Sequence, residues 1–210
     1  MKLYFDPVTV NCRKVLAGLD LIGAAFDEEK VDYFGGGHTG PEYTAINPNQ
    51  SLPALIDDGF TVWESNAILQ YAADKQGNDA VYPKDLKTRT DVNRWLLWES
   101  NQWFPTCYIW LVENVVKPIL GDKPDEKILA DATATFNKLA AIIDSTVATQ
   151  PWLCGQDVTI ADIAVAAPMH LHPWQKLPLE GYPNLVSWMS RVEALPSWKK
   201  TDPVPLLGLN

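Results

Sequence analysis

A basic surplus is missing from this sequence: 17 lysines and arginines face 26 aspartates and glutamates, for a net charge of −9. A field of that sign repels phosphate backbones and anionic lipid, so neither nucleic acid nor a membrane surface is expected as a partner. Also absent is any apolar run of the roughly 20 residues that span a bilayer. The opening Met1-Lys-Leu-Tyr-Phe-Asp6 has no apolar core or small-residue cleavage site of a secretory signal, which makes the cytoplasm the expected location. Cysteine is scarce, and Cys12, Cys107 and Cys154 are too widely spaced for a disulfide framework or a paired zinc site. No Cys-x-x-Cys occurs, so dithiol redox chemistry has no support. His170-Leu-His172 lacks a third ligand at suitable spacing and is followed at once by Pro173, so no metal is expected. Internal repeats and low-complexity tracts are absent as well.

What is present is an ordinary globular composition, 47% hydrophobic and 20% charged, in a chain long enough for two modest domains. Residues 2–6 read as a short strand. The turn Pro7-Val8-Thr9 follows, and then a helix over 11–22, where Val15, Leu16, Leu19 and Ile22 recur at helical spacing. A second strand is expected within 26–32, and glycines 35, 36, 37 and 40 make 33–40 a loop. Two short apolar runs, 53–57 and 60–63, flank Asp58-Gly59, the dipeptide best suited to a tight hairpin. Ser65 then precedes Ala67, Ile68, Leu69, Tyr71 and Ala72 as the N-cap of another helix. The expected order is β-α-β-loop-β-β-α.

Beyond this point every periodic segment is helical. Residues 76–87 are polar, carry Gly77 and Pro83, and read as a linker. Residues 88–120 form a long helix expected to bend near Pro105, because proline removes a helix hydrogen bond and crowds the preceding turn. A helix follows within 124–149, and Thr159-Ile-Ala-Asp162 has the form of a capping box, with Asp in place of the usual Glu. A last helix is expected over 184–195. Nine tryptophans are present, and Trp95, Trp98, Trp103 and Trp110 fall within 16 residues.

The motif pair Asn47-Pro-Asn-Gln-Ser-Leu-Pro-Ala-Leu55 and Glu64-Ser-Asn-Ala-Ile68, followed by a helical domain with Thr159-Ile-Ala-Asp162, resembles the cytosolic glutathione transferase superfamily over nearly the whole chain. Within that superfamily it is similar to bacterial members of serine/threonine or asparagine type. The resemblance implies a thioredoxin-like α/β domain over 1–76, a linker over 77–87 and an all-α helical domain over 88–210. It implies a glutathione transferase with glutathione as co-substrate and an apolar electrophile as second substrate, acting as a homodimer. It further implies a cis bond before Pro53 that leaves the Leu52 backbone free to pair with a tripeptide as an extra strand would. Ser65, at a helix N-terminus, would meet the γ-glutamyl carboxylate and Glu64 its ammonium. His38, in Gly36-Gly-His-Thr-Gly-Pro-Glu42, and Ser51 would serve the glycine end, although family members often place a longer polar side chain at the position of Ser51.

The chemistry needs a thiolate. With a cysteine-like pKa of about 8.5, about 3% of a thiol is ionised at pH 7, and lowering the pKa by roughly two units requires roughly 2.7 kcal/mol. One hydrogen bond to a charged sulfur, worth about 1.5–3 kcal/mol, with a helix N-terminus nearby suffices. The resemblance puts the donor between the first strand and the first helix, at Thr9 first and Asn11 second; both side chains donate. A simple N-cap remains the alternative reading of both. Cys12 reads as a small buried hydrophobe, or as the nucleophile of a glutathione-dependent disulfide reductase or thiol transferase. Trp103, Phe104 and Tyr108 are candidates for an apolar wall at the electrophile site, with core or dimer packing as the alternative. A scaffold that binds glutathione without turnover is the remaining rival.

Overall fold

Leu3 and Phe5 alternate with the less buried Lys2 and Tyr4, so strand β1 (Lys2–Phe5) presents one apolar face to a core. Strand β2 (Asp27–Lys30) is exposed at all four positions and runs parallel to β1. Strands β3 (Ala54–Asp57) and β4 (Phe60–Trp63) form the expected hairpin, with Asp58 at φ 48° and Gly59 at φ 82° in the tight turn between them. Positive φ at both central residues is what a turn matching the twist of the strands demands. The β3 strand also pairs antiparallel with β1, and the sheet order in this computed structural model is β2-β1-β3-β4. The structure describes residues 1–209.

Helices α1 (Val10–Ile22) and α3 (Ser65–Gln76) pack together. Their approach is close at Gly18, where a Cβ would lie 2.3 Å from Leu69 Cδ2. Between the glycine loop and β3 the chain forms α2 (Pro41–Ile46), a six-residue helix that the sequence reading left out. It is too short for a hydrophobic period to register, and its start is marked only by Pro41 at the first helical position. Residues 77–83 are not a free linker: Val81 and Tyr82 are buried, Asn78 Nδ2 donates to Ile22 O at 2.9 Å, and Gln70 Nε2 donates to Tyr82 OH at 2.9 Å.

The second compact unit covers residues 84–195 and is all helical among the described residues. Asp85 caps α4 (Leu86–Trp98) by accepting from Thr88 N. The expected long helix is interrupted twice by wider π turns, Glu99–Trp103 before α5 (Phe104–Leu111) and Val112–Val116 before α6 (Lys117–Ile119). Each π turn contains the residue four before a proline, Asn101 for Pro105 and Asn114 for Pro118, and widening the turn relieves the clash between the proline ring and that carbonyl. Helix α7 (Glu126–Val147) starts from Asp125, which accepts from the N–H groups of Lys127 and Ile128. The Thr159–Asp162 capping box is formed at the head of α8 (Ile160–Ala166), and α9 (His172–Gln175) and α10 (Pro183–Ala194) complete the unit.

Residues 196–209 return to the first unit instead of extending the helical one. Helix α11 (Pro196–Lys199) buries Trp198 beneath Arg13 of α1, with the guanidinium 4.4 Å from the ring centroid, and α12 (Val204–Leu207) follows. The architecture is the expected one, a four-stranded thioredoxin-like α/β unit and an all-α unit, with this terminal segment reassigned.

Candidate functional site

Asp6 organises the turn between β1 and α1. Its buried carboxylate accepts from Val8 N at 3.0 Å and from Tyr33 N at 3.2 Å, which ties the glycine loop to the turn. Its carbonyl accepts from the Thr9 hydroxyl at 3.4 Å, and its N–H donates to Cys12 Sγ at 3.3 Å. Thr9 stands at the N-cap of α1 without a side-chain capping bond. The Cys12 thiol has no exposed surface, and burial pushes its pKa up to about 12 against the opposing hydrogen bonds from the Thr9 side chain and the Asp6 N–H. It is a thiol at neutral pH and closed to reagents.

The head of α3 lies against this turn. Glu64, and not Ser65 as expected, takes the cap position at φ 72°, a conformation that costs a non-glycine residue about 1–3 kcal/mol and recurs at functional sites. Ser65 is the first helical residue, and the N–H groups of Ser65, Asn66 and Ala67 open the helix without intrahelical acceptors. Its hydroxyl donates to Asn11 Oδ1 at 3.4 Å and accepts from Lys14 Nζ at 3.1 Å. Lys14 Nζ also reaches Asn66 Oδ1 at 3.4 Å, and Lys14 is only 2% exposed. Asn11 Nδ2 has no protein partner among the described residues.

The Leu52–Pro53 bond is cis, as expected. Because β3 begins only at Ala54, Leu52 lies outside the ladder, and its backbone N–H and C=O have no partner among the described residues. The preceding peptide is held firmly: Ser51 O accepts from Tyr43 OH at 2.6 Å and from Asn47 Nδ2 at 2.8 Å, and Ser51 Oγ accepts from Asn47 Nδ2 at 3.3 Å. Tyr43 is buried and its hydroxyl pKa is raised, chiefly by burial. His38 occupies a single helical turn in the glycine loop and stacks on Tyr33 at 4.3 Å and 21° between planes; its Nδ1 is buried without a partner among the described residues.

In the helical unit the three aromatic candidates separate. Trp103 has no exposed surface: it stacks on Trp98 at 5.9 Å, packs on Phe136 at 5.3 Å, and its indole N–H donates to Val165 O at 3.0 Å. It is therefore core and offers no wall to a ligand. Phe104 and Tyr108, one helical turn apart, stack on each other at 5.4 Å and 19°, and Tyr108 is 41% exposed.

The N-terminal fold thus joins Asn11 and Ser65 directly, keeps Thr9 in the same turn through Asp6 O, and brings in His38 through Tyr33 and Asp6. Four residues that the sequence reading missed, Asp6, Lys14, Tyr43 and Asn47, hold these groups in place. Only Asn47 had a signal, as part of the Asn47–Leu55 motif. A buried lysine runs against the usual exposure of that residue, and nothing local marks it.

Comparison with known proteins gives a consistent result. The family models described as "Glutathione S-transferase, N-terminal domain" and "Glutathione S-transferase, C-terminal domain" match residues 2–74 and 108–196. The chain is 30% identical over 204 residues to a probable glutathione S-transferase GSTF2 of Oryza sativa subsp. japonica, covering 95% of this chain and 94% of the relative. It is 31% identical over 198 residues to glutathione S-transferase theta-1 of Mus musculus, covering 92% and 82%. Among solved structures, glutathione transferase F7 from Populus trichocarpa superposes with a TM-score of 0.87 at 28% identity over 95% of this chain and 96% of that one. Human glutathione transferase theta-2, solved in complex with glutathione and an unknown ligand, superposes with a TM-score of 0.88 at 28% identity over 99% and 88%.

Proposed function

Because this chain belongs to the glutathione S-transferase family, we propose that it conjugates the glutathione thiolate to an apolar electrophile, with the N-terminal unit as the glutathione seat. It is a glutathione transferase, with glutathione as co-substrate. The observation that carries the reading is the unpaired Leu52 backbone after a firmly held Ser51 carbonyl: its N–H and C=O can pair with a tripeptide as one more strand. The N–H groups at the head of α3 suit the γ-glutamyl carboxylate, with Ser65 beside it and Glu64 meeting the ammonium. Pro53 fixes the bend that turns the Leu52 backbone out of the ladder, and His38 and Ser51 serve the glycine carboxylate.

The sulfur is assigned to the turn bearing Thr9 and Asn11, which makes this a member of threonine or asparagine type. Its similarity to plant and mammalian relatives carries no bacterial subclass. Phe104 and Tyr108 offer the electrophile a flat apolar pair, without Trp103. The closed Cys12 thiol gives the disulfide-reductase reading no support. A homodimer and a reducing, cytoplasmic setting belong to the same reading: Phe60 and Trp63 stand exposed on the outer strand β4, and all three cysteines are free.

Titration calorimetry with reduced glutathione tests the seat, and a chlorinated aromatic substrate tests turnover. Saturable heat and conjugation are expected. Absence of heat at millimolar glutathione in folded protein would remove the reading, and heat without turnover on a panel of electrophiles would leave a binding protein in its place.

A further inference from the structure

We infer that Lys14 is a positioning residue for catalysis: through the hydrogen-bond chain Lys14–Ser65–Asn11 it presents the Asn11 amide to glutathione sulfur, making Asn11, and not Thr9, the principal donor. The inference deepens the proposed function and rests on glutathione binding in this seat.

The direction of the chain follows from the chemistry of its members. An ammonium only donates, so the 3.1 Å contact from Lys14 Nζ makes Ser65 Oγ an acceptor. Ser65 has a single proton, which is then directed to Asn11 Oδ1 at 3.4 Å. That orients the Asn11 carboxamide with its oxygen toward Ser65, and both amide protons remain without a protein partner among the described residues. Thr9 also has one hydroxyl proton, and it is engaged inside its own turn, with Asp6 O at 3.4 Å. Of the two candidate donors, one is already committed and the other is held ready.

The cation at the inner end gives the chain its purpose. An ammonium beside the positive end of a helix is unfavourable in itself, and a bound anion reverses the sign. Lys14 sits at the head of α3 in nearly complete burial, where each hydrogen bond polarises the next in a low dielectric. A negative sulfur on Asn11 Nδ2 draws on that polarisation, and the long Ser65–Asn11 contact shortens as it does so.

The test reads the ionisation of bound glutathione from the ultraviolet absorbance of its thiolate against pH, with affinity measured separately by calorimetry. Lys14→Met and Ser65→Ala are each expected to raise the titration midpoint by about one unit, which at pH 7 takes a bound thiol with a pKa of about 6.5 from about three-quarters to about one-quarter ionised. The rate should recover at high pH, and Lys14→Arg should stay close to the parent. Asn11→Ala should raise the midpoint further, and Thr9→Ala should leave it nearly unchanged. Weaker binding with an unmoved midpoint in Lys14→Met would reduce Lys14 to a carboxylate anchor and overturn the inference. So would a larger shift in Thr9→Ala than in Asn11→Ala. If Lys14→Met does not fold, an unmoved midpoint in Ser65→Ala is equally fatal. Failure of the parent protein to bind glutathione at all would instead defeat the functional reading beneath it.

Discussion

Asn11 and Cys12 are neighbours on one turn of α1, yet one is half-buried with an amide Nδ2 that has no partner among the described residues and the other is sealed in the core. The difference has a consequence in alkali. Burial raises the Cys12 pKa to about 12, against an unfolded cysteine near 8.5, so the folded state favours the thiol. This stabilisation is complete below about pH 8.5 and is lost as pH rises through the folded value. The urea midpoint is therefore expected to fall between about pH 9 and 12, and to fall less in Cys12→Ala, which retains its transferase activity at neutral pH. Rapid alkylation of Cys12 in the native protein at neutral pH would contradict this. Thr9 and Asn11 could be proposed from the sequence because the family resemblance points to the few residues between the first strand and the first helix. Their ranking could not, since it depends on which proton is already committed across the fold.

At the scale of elements, the capping box shows how much a local motif can foretell. Thr159 and Asp162 form it with Asp in place of Glu: Asp162 Oδ2 accepts from Thr159 N at 2.9 Å, and Thr159 Oγ1 accepts from Ala161 N at 3.3 Å. The same carboxylate, fully buried, also accepts at Oδ1 from Leu153 N at 2.9 Å and from Trp188 Nε1 at 3.0 Å, so it fastens three segments of the helical unit. Its pKa is raised by burial in spite of these bonds. Asp162→Ala strands several buried donors and should cost about 3 kcal/mol or more, seen as a lower thermal midpoint by circular dichroism, while Asp162→Asn retains an acceptor and should cost less. The long helices were legible because they repeat a pattern over many turns. The six-residue α2 and the two π turns were not, because they are shorter than any period and are decided by Pro41, Pro105 and Pro118 against their surroundings.

At the scale of the molecule, the last residues complete the first unit. Trp198 is buried, its carbonyl accepts from Arg13 Nη2 at 3.5 Å, and Lys200 pairs with Asp20 at 2.6 Å, so this segment braces the helix whose first turn bears Asn11. Trp198→Ala is expected to cost about 3 kcal/mol in unfolding and to weaken glutathione binding at temperatures where the parent is intact. Unchanged stability would show that the brace is dispensable. By itself the sequence determined the two-part α/β and all-helical plan and the hairpin, because each is encoded in residues close along the chain, while the cis bond before Pro53 followed from the family resemblance of its motif. Only the tertiary structure decided that Trp103 is core, that residues 196–209 belong with the first unit, and that Lys14 stands behind Ser65 and Asn11. Those outcomes depend on pairings up to about 185 positions apart, as between Arg13 and Trp198, where burial and hydrogen-bond direction are set by partners that no local pattern names.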